Sequence, residues 1–229
     1  MLPYTSLDTA SAKEDTVTIG IVGAGNMGRS IATQLAKTGE GVILTDRNPG
    51  KAEAVVDEIA GGGVSAAGVS DALAADIVVL ALWYPGTTDF AGEHAAELDG
   101  TIVVDISNPL DASWIRLGID PSTSSAELLA EQLPGSRIVK AFNTTHAPPL
   151  AEGQLDEVPL DVLLASDDDA AKSQVSELVT TAGLRPIDAG RLDNARLLER
   201  LTAFQIELSQ RYGLDYRLTF KLLPAELPT

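Results

Sequence analysis

The chain alternates short, almost wholly apolar runs with longer segments whose apolar residues recur every three or four positions. Thr16–Val22 (TVTIGIV), Gly41–Thr45 (GVILT), Asp76–Leu82 (DIVVLAL), Thr101–Ile106 (TIVVDI) and Arg137–Ala141 (RIVKA) are the runs. Such segments predict strands of a parallel sheet covered on both faces. Met27–Lys37, Lys51–Ile59, Thr88–Leu98 and a stretch near Ser125–Glu131 read as helices between them, with a short third strand expected around Val64. Strands alternating with helices imply right-handed crossovers. Beyond Pro148–Pro149 the pattern continues with a strand at Leu160–Ala165, a helix at Asp168–Ala182 and a strand at Leu184–Asp188. A long helix, Asp193–Tyr212, ends the series. Its stripe of Leu197, Leu201, Phe204, Leu208 and Tyr212 is expected to bury one face on the sheet or against a second subunit.

Directly after the first strand, Gly23-Ala24-Gly25-Asn26-Met27-Gly28 completes G-x-G-x-x-G and opens the first predicted helix. In that context Gly23 permits a tight turn, Gly25 lets the backbone approach a pyrophosphate, and Gly28 allows close helix–strand packing. The helix start, at Asn26 and Met27, offers free N–H groups where the dipole favours an anion. The fold class is therefore α/β, a Rossmann-type doubly wound, mostly parallel sheet with a small C-terminal α/β extension ending in a long helix. The expected division is a disordered tail over 1–15, a dinucleotide-binding domain over 16–150 and a smaller region over 151–229. Asp46 ends the second strand, 18 residues after Gly28. An acid near that spacing accepts the ribose hydroxyls and disfavours a 2′-phosphate. Arg47 follows, with Thr45, Asn48 and Lys51 close by, a set able to hold that phosphate. Arg47 and Lys51 can equally be ordinary surface cations solvating the turn.

Composition narrows the field. Acidic residues number 33 against 16 basic, a net charge of −17. That surface repels phosphate backbones and anionic bilayers, so no nucleic-acid or membrane partner is expected. With six lysines and 19 aspartates, it suits a halophile or an ordinary acidic protein. The absence of cysteine excludes disulfides, thiolate catalysis and Cys-ligated zinc, and two histidines, His94 and His146, suggest no metal cluster. No run approaches the roughly 20 apolar residues of a membrane span. Met1–Asp15 lacks a secretory pattern, so a cytoplasmic chain is expected.

Four blocks then carry a family resemblance: the glycine loop, Asp105-Ile106-Ser107-Asn108-Pro109, Ser124-Ser125-Ala126-Glu127-Leu128 and Val139-Lys140-Ala141-Phe142-Asn143-Thr144. In this order they resemble the deazaflavin (coenzyme F-420)-dependent NADP oxidoreductases. They are also similar to the cytosolic oxidoreductase domain of STEAP-type metalloreductases. The resemblance runs from about Val17 to about Gly190. It implies hydride transfer between NADP(H), favoured over NAD(H), and a small-molecule partner, F-420 or a flavin, in a homodimer paired through its C-terminal region. It matches Arg47 to the arginine at the 2′-phosphate, whereas Asp46 departs from the small serine usual before it. Leu82, Trp83 and Tyr84 match a loop along the cofactor, and Asn108 and Pro109 a loop near the nicotinamide ribose. Ala141 to Thr144 match the segment facing the nicotinamide and the second substrate.

Hydride transfer between stacked rings demands position more than acid–base chemistry, so no catalytic side chain is assigned. Asn143 and Thr144 are expected to hydrogen-bond the carboxamide or substrate ring, or else to cap the following turn. Trp83 and Tyr84 stack on a ring or serve as core or lid. His146 donates to a substrate group or lies on the surface beside Pro148, and His94 is structural. Lys140 is expected at the sheet's end as a loop anchor, since comparison with the Lys–Asn pair of β-hydroxyacid dehydrogenases fails on its placement. Asp167–Asp169 is explained by capping and the helix dipole. Two alternatives remain open: an imine or small-carbonyl reductase of the pyrroline-carboxylate-reductase type, and a non-catalytic dinucleotide-sensing module.

Overall fold

A computed structural model describes residues 17–59 and 61–224, so the tail expected over 1–15 lies outside the described residues. Strands β1 (Thr18–Val22), β2 (Gly41–Thr45), β3 (Val64–Ala66), β4 (Ile77–Leu80), β5 (Ile102–Asp105) and β6 (Arg137–Lys140) form one sheet in the order β3-β2-β1-β4-β5-β6. Every pairing is parallel. Strand order reverses between β1 and β4, and the crevice at the carboxyl ends of such a sheet is where ligands bind. Successive side chains point to opposite faces. Ile19, Ile21, Val79 and Val104 therefore enter one core cluster, and Val22, Val78, Leu80 and Val103 the other.

The first face is covered by α1 (Asn26–Leu35) through Ile31, α2 (Pro49–Glu58) through Val55, α6 (Ala147–Glu152) through Leu150 and α7 (Asp169–Thr181) through Val175. The second takes α3 (Val69–Leu73), α4 (Tyr84–Glu93) and α5 (Ser125–Gln132) through Leu73, Ala91 and Leu129. Helix α4 starts and stops four or five residues earlier than the pattern suggested. Pro85 occupies its first turn, where a missing N–H is harmless.

Past α6, β7 (Gln154–Leu155) and β8 (Val158–Pro159) pair antiparallel, while β9 (Asp161–Leu164) and β10 (Arg185–Asp188) pair in parallel across α7. One antiparallel bridge joins this second sheet to β6: Lys140 N–H donates to Ala165 O at 2.9 Å and Ala165 N–H to Lys140 O at 3.0 Å. Leu160, Val162 and Leu164 share the cluster of Ile19, so one core runs through Pro148–Pro149. Asp168 caps α7 by accepting from Ala171 N–H at 2.8 Å, as the acidic triple predicts.

Helix α8 (Ala195–Tyr212) follows a 3₁₀ turn at Leu192–Asn194, and of the two partners expected for its apolar stripe the sheet is not the one. Leu197, Phe204 and Tyr212 are 64%, 50% and 68% exposed, while Leu198, Glu199, Thr202, Gln205, Ile206 and Ser209 are buried. The helix covers the polar carboxyl end of β6 rather than an apolar sheet face, so its buried side carries polar residues. Asp161, buried, accepts from Arg185 at 2.9 Å, from Leu222 N–H at 2.8 Å and from Lys221, tying the segment after α8 to β9. Among the described residues no helix is long and apolar enough to cross a membrane.

Candidate functional site

The glycine turn leaves β1 through Gly23, whose φ is +107° and whose N–H donates to Thr45 O at 2.8 Å. A Cβ on Gly23 would stand 2.5 Å from Ala81 O, and one on Gly28 would stand 1.8 Å from Gly23 O. Packing requires both glycines. Gly25 differs, since a Cβ there would meet nothing within 4 Å. The first turn of α1 carries no acidic side chain, so its dipole end stays attractive to an anion. Open space over Gly25 beside that end is a cradle that a side chain would fill.

Asp46 is committed to the same turn. It accepts from Ala24 N–H at 2.9 Å and Asn48 N–H at 3.0 Å, with Lys51 Nζ at 3.4 Å. Burial alone would raise its carboxyl, but the bonds to Asn48 and Ala24, with Lys51, outweigh it and hold the group below its ordinary value. Arg47 next to it is exposed and makes no hydrogen bond or ion pair to the described residues. Thr45 is buried and serves the turn through its carbonyl.

Farther along the carboxyl edge, Leu82 and Tyr84 are half-buried and Trp83 projects, 65% exposed. Trp83 meets Trp114 edge-on at 4.4 Å between ring centroids, a neighbour the sequence reading missed. Pro109 and Ala141 are buried. After β6, Phe142 adopts φ +58°, a left-handed conformation uncommon outside glycine, and turns the chain across the edge. Asn143 Nδ2 donates to Asn108 Oδ1 at 3.0 Å, and Asn108 Nδ2 returns a bond to Asn143 O at 3.2 Å. Thr202 Oγ1 from α8 donates to Asn143 O at 2.8 Å.

Neither Asn143 nor Thr144 caps the next helix. His146 is the N-cap of α6, without a side-chain bond, and Thr145 Oγ1 closes the turn onto Phe142 O at 2.7 Å. His146 is buried, 8% exposed, which corrects the surface placement. Desolvation lowers its pKa to about 4, and the ring of Tyr216 lies 5.6 Å away. Asn143 Oδ1, Thr144 Oγ1 and His146 Nε2 are all buried without a hydrogen-bond partner among the described residues. Each such atom costs about 1–3 kcal/mol if left unmet.

Lys140 ends β6, at the sheet's end as expected, and its ammonium donates to the carbonyl of Ser107 in the loop after β5. The sequence did not foretell that the side chain is fully buried. Its ammonium lies 2.8 Å from Asp105, 2.9 Å from Glu199 and 2.8 Å from Ser125 Oγ. Ser125, at the start of α5, donates its N–H to Glu199 at 2.9 Å. Burial disfavours the ammonium, but the two carboxylates prevail and raise its pKa. The cluster binds β5, β6, α5 and α8 at one point. Asp105 and Lys140 are direct register partners, a signal present in two strands that each end on a charge.

The sequence model of the family described as NADP oxidoreductase, coenzyme F-420-dependent, matches residues 18–109. The F-420-dependent NADP reductase of Methanocaldococcus jannaschii is 33% identical over 215 residues, covering 86% of this chain and 95% of that protein. The chain belongs to the F-420-dependent NADP oxidoreductase family. Metalloreductase STEAP3 of Rattus norvegicus is 31% identical over 192 residues, but the match spans 84% of this chain and only 38% of that longer protein. A crystal structure assigned to an F-420-dependent NADP reductase of Arthrobacter sp. FB24 superposes with a TM-score of 0.79 at 28% identity, covering 91% of this chain and all of that one.

The residues present fit the dinucleotide this oxidoreductase family is named for. The cradle over Gly25 is open, the α1 dipole end carries no acid, and the carboxyl edge ends in unmet donors and acceptors. Family blocks that looked separate in sequence, 105–109, 124–128 and 139–144, converge through the Lys140 cluster and the Asn108–Asn143 pair.

Proposed function

We propose that this chain transfers a hydride between NADP(H) and a flavin-like tricycle, either coenzyme F-420 or a flavin. The observation carrying this reading is that an open phosphate cradle and a row of unmatched buried polar groups share one carboxyl sheet edge. Gly25 and the first N–H groups of α1 would hold the pyrophosphate. Arg47, exposed and uncommitted, would take the adenosine 2′-phosphate, while Asp46 spends its oxygens on Ala24 and Asn48. Leu82 and Tyr84 would line the cofactor's path, Asn108 and Pro109 its nicotinamide ribose, and the Trp83–Trp114 pair would form the rim. Bound NADPH supplies the hydride. Asn143, Thr144 and neutral His146 would orient the rings and exclude water without moving a proton. The reading includes a cytoplasmic homodimer, paired through the exposed stripe of α8, which Phe220 extends by stacking on Phe204 at 6.3 Å.

A spectrophotometric screen of NADPH and NADH oxidation against F-420, FMN, FAD and ferric chelates tests the assignment. Turnover of NADPH with F-420 or a flavin is expected. Oxidation driven only by imines or small carbonyl compounds would replace this reading with that of an imine reductase.

A further inference from the structure

Seven buried side-chain polar atoms lack a hydrogen-bond partner among the described residues, and five belong to Asn143, Thr144, His146 and Gln205. Gln205 supplies two of them, both ends of a carboxamide that is 1% exposed. Its position follows from its neighbours on the helix. Thr202, three residues earlier, bonds Asn143 O at 2.8 Å, and Ser209, four residues later, accepts from Tyr216 N–H at 2.9 Å. Residues so spaced share a helix face. The ring of Tyr216 in turn meets that of His146 at a tilt, 5.6 Å between centroids. Gln205 therefore lies on the buried face of α8, between Thr202, which holds Asn143, and Ser209, which holds Tyr216 beside His146. Leu198 and Ile206 flank this face with apolar packing, so the amide has no structural task that leucine would not perform better.

We infer that Gln205 is a ligand-recognition residue whose carboxamide pairs with an amide or imide edge, an N–H beside a carbonyl, at the reacting end of the site. A primary carboxamide offers one acceptor next to a donor, the complement of such an edge. Two ligands present this chemistry: the tricyclic hydride partner through its pyrimidinedione ring, and the dinucleotide through its nicotinamide carboxamide. The assignment rests on the hydride-transfer reading above. Tyr216, 45% exposed and carried on consecutive left-handed residues with Asp215, forms the cover of this end, and a ligand would enter past it.

Equilibrium binding tests the inference separately from turnover. Lumiflavin and 3-methyllumiflavin, in which a methyl group replaces the imide N–H, are titrated by fluorescence quenching against protein loaded with NADP⁺. NADPH and its 3-acetylpyridine analogue, which lacks the amide N–H, are titrated against free protein. Wild type should bind lumiflavin at least about tenfold tighter than the methylated form, and Gln205→Leu should erase that difference while holding NADPH affinity within about twofold. Loss of discrimination between NADPH and its analogue instead would assign the same amide to the nicotinamide. Wild type that discriminates within neither pair overturns the inference, even if no variant folds. So does a folded Gln205→Leu variant that binds all four probes as wild type does, whatever its thermal stability. Failure of the acceptor screen with these preferences intact would sink the hydride-transfer reading alone.

Discussion

The buried charge cluster makes the sharpest stability prediction. Lys140→Met preserves bulk but removes the only cation among the described residues in contact with Asp105 and Glu199, all three side chains being fully buried. Both carboxylates then share Ser125 as their remaining common donor, since its hydroxyl lies 3.0 Å from Asp105 and 2.6 Å from Glu199. Breaking one buried ion pair costs about 3–5 kcal/mol. Two pairs sharing one cation are not additive, so we expect about 4 kcal/mol. At about 2–4 °C per kcal/mol for a chain of this size, the melting temperature should fall by about 8–16 °C. Urea unfolding should show a lower midpoint with an unchanged slope, the signature of lost stability in an intact two-state fold. Lys140→Met/Glu199→Met removes one charge of each sign and should recover at least about 1 kcal/mol of the single variant's loss. A single variant costing under about 1 kcal/mol, or a double variant as unstable as the two singles summed, would refute the account.

Gly25→Val should fold normally, because the new side chain meets open space, yet weaken dinucleotide binding more than tenfold, about 1.4 kcal/mol, in titration calorimetry. Arg47→Ala should weaken NADPH and spare NADH; equal losses would make Arg47 structural. Stability should be full above pH 6.5 and fall as pH drops toward about 4, because protonation favours unfolded chains whose histidine is solvated while His146 stays neutral in the fold. His146→Phe should flatten that slope in urea titrations by up to about 1.4 kcal/mol per pH unit, and an unchanged slope would remove the buried imidazole as its source. Phe204→Glu should convert a dimer to monomer in sedimentation without loss of dinucleotide affinity, since Phe204 is half exposed in the single chain; a wild type that sediments as monomer at high concentration ends the dimer proposal.

How much of this could be read beforehand follows from how local each cause is. Strands β1, β2, β4, β5 and β6 were legible because burial on both faces makes their central positions almost wholly apolar. The glycine turn was legible because steric demands at Gly23 and Gly28 arise within a few residues of the motif. His146 was misplaced because Tyr216, its cover, lies 70 positions along the chain, at the far end of α8. Asn143 looked like a turn residue until Thr202, 59 positions away, claimed its carbonyl. For α8 the sequence left the stripe's partner open, the sheet or a second subunit, and the structure takes away only the sheet. Apolar spacing identifies the buried face only when the surface beneath is apolar, and here it is the charged end of β6.

That exception explains why α8 links stability to the site. Glu199, Thr202 and Gln205 succeed one another at intervals of three along the buried face; the first two meet Lys140 and Asn143, and the amide of Gln205 has no hydrogen-bond partner among the described residues. Leu198, Ala203 and Ile206 bury apolar surface on the same side, but the polar groups among them are costly if unmet, so the helix's position also depends on how well each of these is met. The Lys140 cluster satisfies the first of them fully on one oxygen and fixes the root of the helix against β5 and β6. Loosening that root by Lys140→Met must therefore shift Thr202 and Gln205 relative to Asn143 and cost ligand affinity as well as stability. Gly25 and Arg47 hang from β1 and β2 on other supports, so their variants should change dinucleotide binding without moving α8. The two sets of perturbations separate the cradle from the reacting end, although both lie along one edge of one sheet.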